Sequence, residues 1–424
     1  MRWLATGVLA VTLLTAGLTG QSDSGTFVIR NVRVFDGETV AERQTVVIGE
    51  GRITAVGSAV SAPAGALEIP GTGRTLLPGL MDAHIHLPIF SLTTTAALQQ
   101  SLAFGVTTTV VMAAAPSQFA SRLKEIEAAD APDLAALLSA GTAATAPGGH
   151  PTQMGGPGFP TLTAPGEAAA FVAARIAEGS DFIKIIHDDT NAAYGRTLPT
   201  LSEATVAALA SAAHAQGRLA VAHIGTEQQA MSAIDAGVDG LAHLFVGPTV
   251  SPEFVQNAKR RNVFVIPTLS ILYSVCGQSD GQQILDDARV MSLVRPQFRA
   301  PLDLPSGSIR PSCAGAKAAV RQLAAAGVPI VAGTDAPGPG TTYGASLHWE
   351  LIHLVDAGMT PTAALAAATS AAARAFHLTD RGRIAPGMRA DLLLVDGDPS
   401  TEIRATRNIV RIWKKGVPVP PTSN

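Results

Sequence analysis

His84, His86, Lys184, His223, His243 and Asp335 each close, or lie within, a short apolar run of the chain. Four imidazoles, one amine and one carboxylate are donor types that hold hydrolytic divalent metal ions. In Asp82-Ala83-His84-Ile85-His86 the two histidines stand two apart, so a strand with period two turns both rings to one face, where one metal ion can take both. Lys184 sits inside Phe182-Ile183-Lys184-Ile185-Ile186, in a chain with six lysines against 24 arginines. Burial there disfavours the ammonium and lowers its pKa. A neutral amine reacts with carbon dioxide to give a carbamate, an anionic ligand able to bridge two cations; an ammonium paired with Asp188 or Asp335 is the alternative. His223 and His243 end consecutive runs and offer imidazoles to a second metal ion. Asp335 ends the last run, where a carboxylate binds metal and accepts a proton from water.

These residues must be positioned by the elements that carry them. Eight short β-branched runs alternate with Ala-rich helical segments: 75–86, 107–112, 134–140, 182–187, 219–223, 240–245, 263–267 and 329–335. Helices are expected over 166–178, 203–216 and 227–236, the last two ending near Gly217 and Gly237 as C-caps. Repeated βα units of this length predict an α/β fold, a (β/α)8 TIM barrel over residues 74–378, whose active site lies at the carboxyl ends of the strands. Shorter strands over 27–34, 44–48 and 51–57, and again over 383–385, 390–395 and 409–413, predict a small β-sandwich domain formed by the N-terminal segment 25–73 and the C-terminal segment 379–420.

Composition excludes other classes. With 47% hydrophobic and 15% charged residues the chain has a sizeable core, and a net charge of -3 without a Lys/Arg run predicts no nucleic-acid partner. Residues 1–20 have the n-region and apolar h-region of a signal peptide, which predicts a periplasmic or secreted protein with no stable membrane span once the leader is removed; an uncleaved anchor is the alternative. Cys276 and Cys313 form one disulfide or remain two free thiols.

As a set, Gly79 to His86, Lys184, His223, His243 and Asp335 resemble the amidohydrolase superfamily of metal-dependent hydrolases. Asp181-Phe182-Ile183-Lys184, Leu241-Ala242-His243-Leu244, Gly333-Thr334-Asp335-Ala336 and Pro386-Gly387-Met388-Arg389-Ala390-Asp391-Leu392 are similar to its branch of imidazolonepropionase-like proteins and Xaa-Pro dipeptidase-like enzymes. The resemblance implies two divalent metal ions, with zinc the first choice and manganese or cobalt the alternatives. His84, His86 and Asp335 would hold the buried ion, His223 and His243 the exposed one, and Lys184, N6-carboxylated, would bridge them. A metal-bridging hydroxide would attack the carbonyl, with Asp335 as general base and then general acid. His150, in Gly148-Gly149-His150, would meet a substrate carboxylate; Tyr194 and Arg196 are further anion-binding candidates. His187 falls on the opposite strand face from Lys184 and is expected to play a structural part, as are His348, Glu350 and His353.

The activity so implied is cleavage of amide C–N bonds in a small molecule, a dipeptide or N-acyl amino acid, by an exported homo-oligomer. A cyclic amide or lactone hydrolase, or a deaminase of the same superfamily, is the alternative. A non-catalytic binding homologue is the remote one, and it would be marked by ligand loss, which this sequence does not show. Two departures bear on the substrate. The Ser-Gly-Gly loop that some relatives carry after the bridging lysine is replaced by His187-Asp188-Asp189-Thr190-Asn191, which withdraws a preference for basic C-terminal residues. Imidazolonepropionase works without a bridging carbamate, so Lys184 argues against that activity.

Overall fold

The computed structural model describes residues 25–87, 91–113, 117–154, 159–305 and 311–420. The leader over 1–20 lies outside these residues. Among the described residues, no helix is long and apolar enough to cross a membrane.

Among the described residues, fifteen strands form three sheets. The first comprises β1 (Phe27–Phe35), β2 (Val40–Gly49), β3 (Arg52–Gly57), β4 (Leu67–Pro70) and β5 (Arg74–Pro78) from the N-terminal part; β13 (Leu392–Asp396), β14 (Ile409–Lys414) and β15 (Val417–Pro418) from the C-terminal part complete it. The order is β15-β14-β13-β5-β1-β2-β3, with β4 beside β1. Both termini thus meet in one mixed sheet, at the antiparallel β13–β5 ladder that pairs Leu393 with Leu77. The pairing links these eight strands into one hydrogen-bonded sheet. The expected strand over 383–385 does not form; Ile384 instead donates its amide to the Asp36 carbonyl.

The other two sheets are parallel. One holds β6 (Leu80–His86), β7 (Val106–Ala113) and β8 (Ala136–Ser139); the other holds β9 (Ile183–Ile186), β10 (Ala220–His223), β11 (Gly240–Ala242) and β12 (Phe264–Ile266), in chain order. Helices over Ala168–Ala177, Glu203–Ala215 and Glu227–Asp235 pack between successive strands, and Gly217 and Gly237 adopt the positive φ of a C-cap (65° and 92°). Ser202 and Thr226 cap the second and third of these helices by accepting the amides of Thr205 and Gln229.

Two of the eight predicted runs differ from expectation. The run over 75–86 divides at Gly79: β5 joins the terminal sheet while β6 enters the parallel one. The run over 329–335 forms no strand, only a single parallel bridge from Ile330 to Val265, with a second from the following Ala336 to Ile85. Its backbone turns away because Asp335 takes a left-handed conformation (φ 62°). A third single bridge, Ala144 to Ile185, connects the segment after β8 to β9.

The interior is apolar on both sides of the parallel strands. Met81, Ala83, Val110, Phe182, Val221 and Ile266 form one buried cluster between strands, and a larger one underlies the helices. Cys276 and Cys313 are joined in a disulfide with Cα atoms 6.1 Å apart.

Candidate metal centre

The predicted donors converge at the carboxyl ends of the parallel strands. His84 and His86 leave β6 on one face, as period two requires, with their Nε2 atoms 3.3 Å apart. The oxygen Oδ1 of Asp335 lies 3.1 Å from His84 Nε2 and 2.8 Å from His86 Nε2. Run 329–335 can come this close because Gly333 has no side chain: a Cβ there would lie 2.9 Å from His84 Cβ and 2.6 Å from Ile266 Cγ2. Asp82 fastens the same junction. Its Oδ1 accepts the amides of His84 (3.2 Å) and Thr334 (3.0 Å), and its Oδ2 accepts the Thr334 hydroxyl (2.7 Å). Burial pushes the Asp82 carboxyl up to about 7, against the pull of those three donors.

His243 and His223 form the opposite side. His243 Nε2 is 3.0 Å from His223 Nδ1, and His243 Nδ1 is 2.7 Å from the Thr268 hydroxyl. Asp188 Oδ2 lies 3.2 Å from His223 Nε2. A carboxylate only accepts, so this contact places the His223 proton on Nε2 and leaves Nδ1 directed at His243. The two halves touch, since the rings of His84 and His243 are 4.6 Å apart, about as close as His243 is to His223 at 4.4 Å. Atoms of His84, His243 and Asp335 lie within 4.8 Å of one another, so His243 reaches the group expected to hold the buried ion as well as its own.

Lys184 completes the floor. It is 1% exposed, and Nζ makes no hydrogen bond. Burial drives its amine down to about 7. The alternative of an ammonium hydrogen-bonded to Asp188 or Asp335 is therefore not what the geometry provides. Burial likewise holds the His84 imidazole down at about 3 and His243 well below its usual range, in each case with a neighbouring cationic group adding to the effect. Burial alone would raise the Asp335 carboxyl, but the imidazoles of His84 and His243 hold it well below the usual carboxylate range.

Three residues of the site carry backbone strain. His243 (φ 74°) and Thr268 (φ 51°), which follow β11 and β12, and Asp335 (φ 62°), which ends the run over 329–335, lie in the left-handed region, at about 1–3 kcal/mol each. Such positions aim a side chain across the strand ends that a regular backbone would send elsewhere.

The donor set fits a divalent ion on its geometry. Ligands 2.0–2.1 Å from one tetrahedral ion stand about 3.4 Å apart. The separations among His84 Nε2, His86 Nε2 and Asp335 Oδ1 are 2.8, 3.1 and 3.3 Å. In addition, the buried Lys184 Nζ has no hydrogen-bond partner; a bound cation would give the neutral amine or its carbamate what hydrogen bonds do not.

Above this floor opens a cavity of about 400 Å³. His150 and Tyr194, two of the three substrate candidates, line it, and the His150 ring is 5.1 Å from that of His223. Arg196 does not: it is exposed and contributes to the local structure through its carbonyl, which accepts the Thr190 hydroxyl at 2.7 Å. His187, as expected of the opposite strand face, bonds outward to Ser232 Oγ (2.7 Å) and Leu201 O (3.2 Å). His348 is held by Thr406 and the Phe104 carbonyl, His353 by Asp280, and Glu350 accepts the amides of Leu269 and Ser270. Sequence reasoning named Asp188 only as a partner for Lys184 and gave Asp82 no part at the site. For Asp188 a signal existed: it follows Lys184 and Ile186 at period two, and all three line the cavity.

The profile of the amidohydrolase family matches residues 75–421. The chain belongs to the amidohydrolase family. It is thereby a hydrolase of the class that acts on carbon–nitrogen bonds. An imidazolonepropionase of Streptomyces griseus is 39% identical over 101 residues, 23% of this chain and 25% of that enzyme, so the chain matches about a quarter of that relative's length. An uncharacterised protein of Mycobacterium tuberculosis is 28% identical over 333 residues, 77% of this chain and 80% of the other. Among solved structures, a Xaa-Pro dipeptidase with bound methionine superposes with a TM-score of 0.74 at 24% identity, over 93% of this chain and 99% of that one. At that identity the likeness concerns the fold: this amidohydrolase is an α/β protein similar to the barrel enzymes of its family.

Proposed function

We propose that this amidohydrolase is an exported, metal-dependent hydrolase that cleaves the amide C–N bond of a small molecule in the 400 Å³ cavity. The observation that carries the reading is the triangle of His84 Nε2, His86 Nε2 and Asp335 Oδ1, no edge longer than 3.3 Å, beside an unpaired buried Lys184. In this reading the two parallel sheets are one barrel, joined by the Ala144–Ile185 bridge on one side and by run 329–335 on the other, and the terminal sheet is its β-sandwich companion. Export is supported by the apolar leader and by the Cys276–Cys313 disulfide, a bond kept in oxidising compartments.

His84, His86 and Asp335 would hold one divalent ion, His223 and His243 a second, and Lys184, carboxylated on Nζ, would span them. Bound ions of this kind lower the pKa of a coordinated water and polarise the scissile carbonyl. The chain supplies the rest. Asp335, on the floor of the cavity, takes the proton of the attacking water and delivers it to the departing nitrogen. His150 and Tyr194 border the space where the substrate lies. Asp188 holds His223 and Thr268 holds His243, so neither ring turns when the cavity fills.

Amine release from a panel of uncharged amides, dipeptides and N-acyl amino acids, measured with the zinc-supplemented mature protein and Asp335→Asn as the blank, tests the reading. Release by the wild type and not by the blank is expected. Metal-loaded protein that releases no amine from any member, while opening lactones, would overturn it.

A further inference from the structure

We infer that the cavity selects an uncharged amide with an aliphatic or aromatic body and disfavours a substrate carrying a carboxylate, such as a dipeptide or N-acyl amino acid. This rests on the amide-hydrolase reading of the same site. Bringing a carboxylate into a water-poor cavity requires a fixed cation or several donors to replace its hydration. The two ions proposed on the floor are committed to the attacking water and the scissile carbonyl, and away from them Lys184 is the one side chain of lysine or arginine type among the described residues that line the cavity. It lies on the floor among the proposed metal ligands, 1% exposed. Arg196, the guanidinium that the sequence offered for this purpose, stands outside the cavity.

His150 does not fill the role either. Gln153 Nε2, which can only donate, lies 2.8 Å from His150 Nδ1. That makes Nδ1 an acceptor and His150 a neutral ring with its proton on Nε2, able to offer one hydrogen bond and no charge. The nearest fixed charge on this wall has the wrong sign for an anionic substrate. Asp188, 4% exposed, lines the cavity beside His150, held by the Thr190 amide at 2.9 Å and by His223. The remaining walls are mostly apolar, with Phe159, Ile186, Ile224, Leu244, Ile271 and Val275 among them, and Tyr194 and Thr190 add hydroxyls without charge. Such a surface gains from each methylene a substrate buries and offers an anion neutral donors but no countercharge.

Matched chromogenic anilides separate these outcomes: hexanoyl 4-nitroanilide and the same anilide bearing a ring carboxylate, together with the acetyl and butanoyl homologues. The uncharged hexanoyl compound is expected to exceed the carboxylated one in kcat/KM by about tenfold to a hundredfold, the span of a charge-assisted hydrogen bond left unmade. Each added methylene should raise kcat/KM about fourfold. Equal or better turnover of the carboxylated anilide overturns the inference and leaves the amide-hydrolase reading standing. Calorimetric binding of both hexanoyl anilides to zinc-loaded Asp335→Asn protein reads selectivity without turnover. Tighter binding of the uncharged compound supports the inference even where hydrolysis fails, and equal or tighter binding of the carboxylated one overturns it.

Discussion

Replacing Asp188 with Ala is expected to weaken the second metal position without unfolding the protein. Asp188 touches no predicted ligand except His223, whose Nε2 lies 3.2 Å from its Oδ2, and its other oxygen accepts the Thr190 amide at 2.9 Å. Burial raises the Asp188 carboxyl, but the contact with His223 and the Thr190 amide more than offset this and keep it below the usual carboxylate range. The carboxylate is therefore charged at neutral pH. A hydrogen bond to a charged group contributes about 1.5–3 kcal/mol. At 1.36 kcal/mol per decade, its loss corresponds to roughly a tenfold to hundredfold fall in affinity, the range seen when a group that orients a ligating histidine is removed. Competition of the protein with a chromophoric chelator for zinc measures the change directly. Asp188→Asn, which keeps an acceptor and loses the charge, should fall between wild type and Asp188→Ala.

An independent perturbation reaches the same contact from the other side. Gly225 faces the Asp188 carboxylate so closely that a Cβ would fall on its oxygens. Gly225→Ala should displace Asp188, at a cost of about 1–3 kcal/mol in stability for overpacking, and lower zinc affinity in the same direction. Zinc affinities within twofold of wild type in both Asp188→Ala and Gly225→Ala, with thermal unfolding still cooperative, would refute the orienting role and with it the placement of His223 at a metal ion.

Lys184→Met should abolish most turnover while raising the melting temperature of the metal-free protein, because a buried amine without a partner is replaced by an apolar chain of similar length; calorimetry of the chelator-treated variant checks this, and full activity would remove the bridging role. Replacing Cys276 and Cys313 with Ser opens a loop of 37 residues, a loss of about 4 kcal/mol on the chain-entropy estimate, seen as a lower denaturation midpoint that reductant no longer shifts. His353 is partly buried: burial alone would lower its pKa, but the Asp280 carboxylate, 2.6 Å away, with Glu350 and Asp356 nearby, raises it above 6.5. A folded pKa raised above the unfolded one stabilises fully below about 6.5 and is lost as pH climbs through the folded value. Stability measured by urea unfolding should therefore decline over that window in the wild type, and the decline should flatten in His353→Phe.

Where the sequence was legible, a repeating geometry made it so. A strand alternates faces, so the spacing of His84 and His86 fixed their common direction, and His187, three positions from Lys184, was correctly placed on the far side. The same rule carried Asp188 to the cavity with Lys184 and Ile186, and only attention to ligand types hid it. Where the backbone leaves regular structure, the rule has no purchase. Arg196 follows a short helical turn over Asn191–Tyr194 and a left-handed Gly195 (φ 67°), and its exposed position depends on that turn, not on any period. The run over 329–335 reads as a strand from composition, yet Gly333 brings it onto β6 and the left-handed Asp335 ends it as a bridge. That irregularity has a chemical use. A strand continued through Asp335 would carry its carboxylate along the sheet, whereas the turn, pinned by Asp82 through Thr334 and His84, sets it 3.1 and 2.8 Å from two imidazoles. The departure from the predicted element and the assembly of the donor set are the same structural event, because strain at Asp335 is tolerated only where the neighbouring contacts over-determine it.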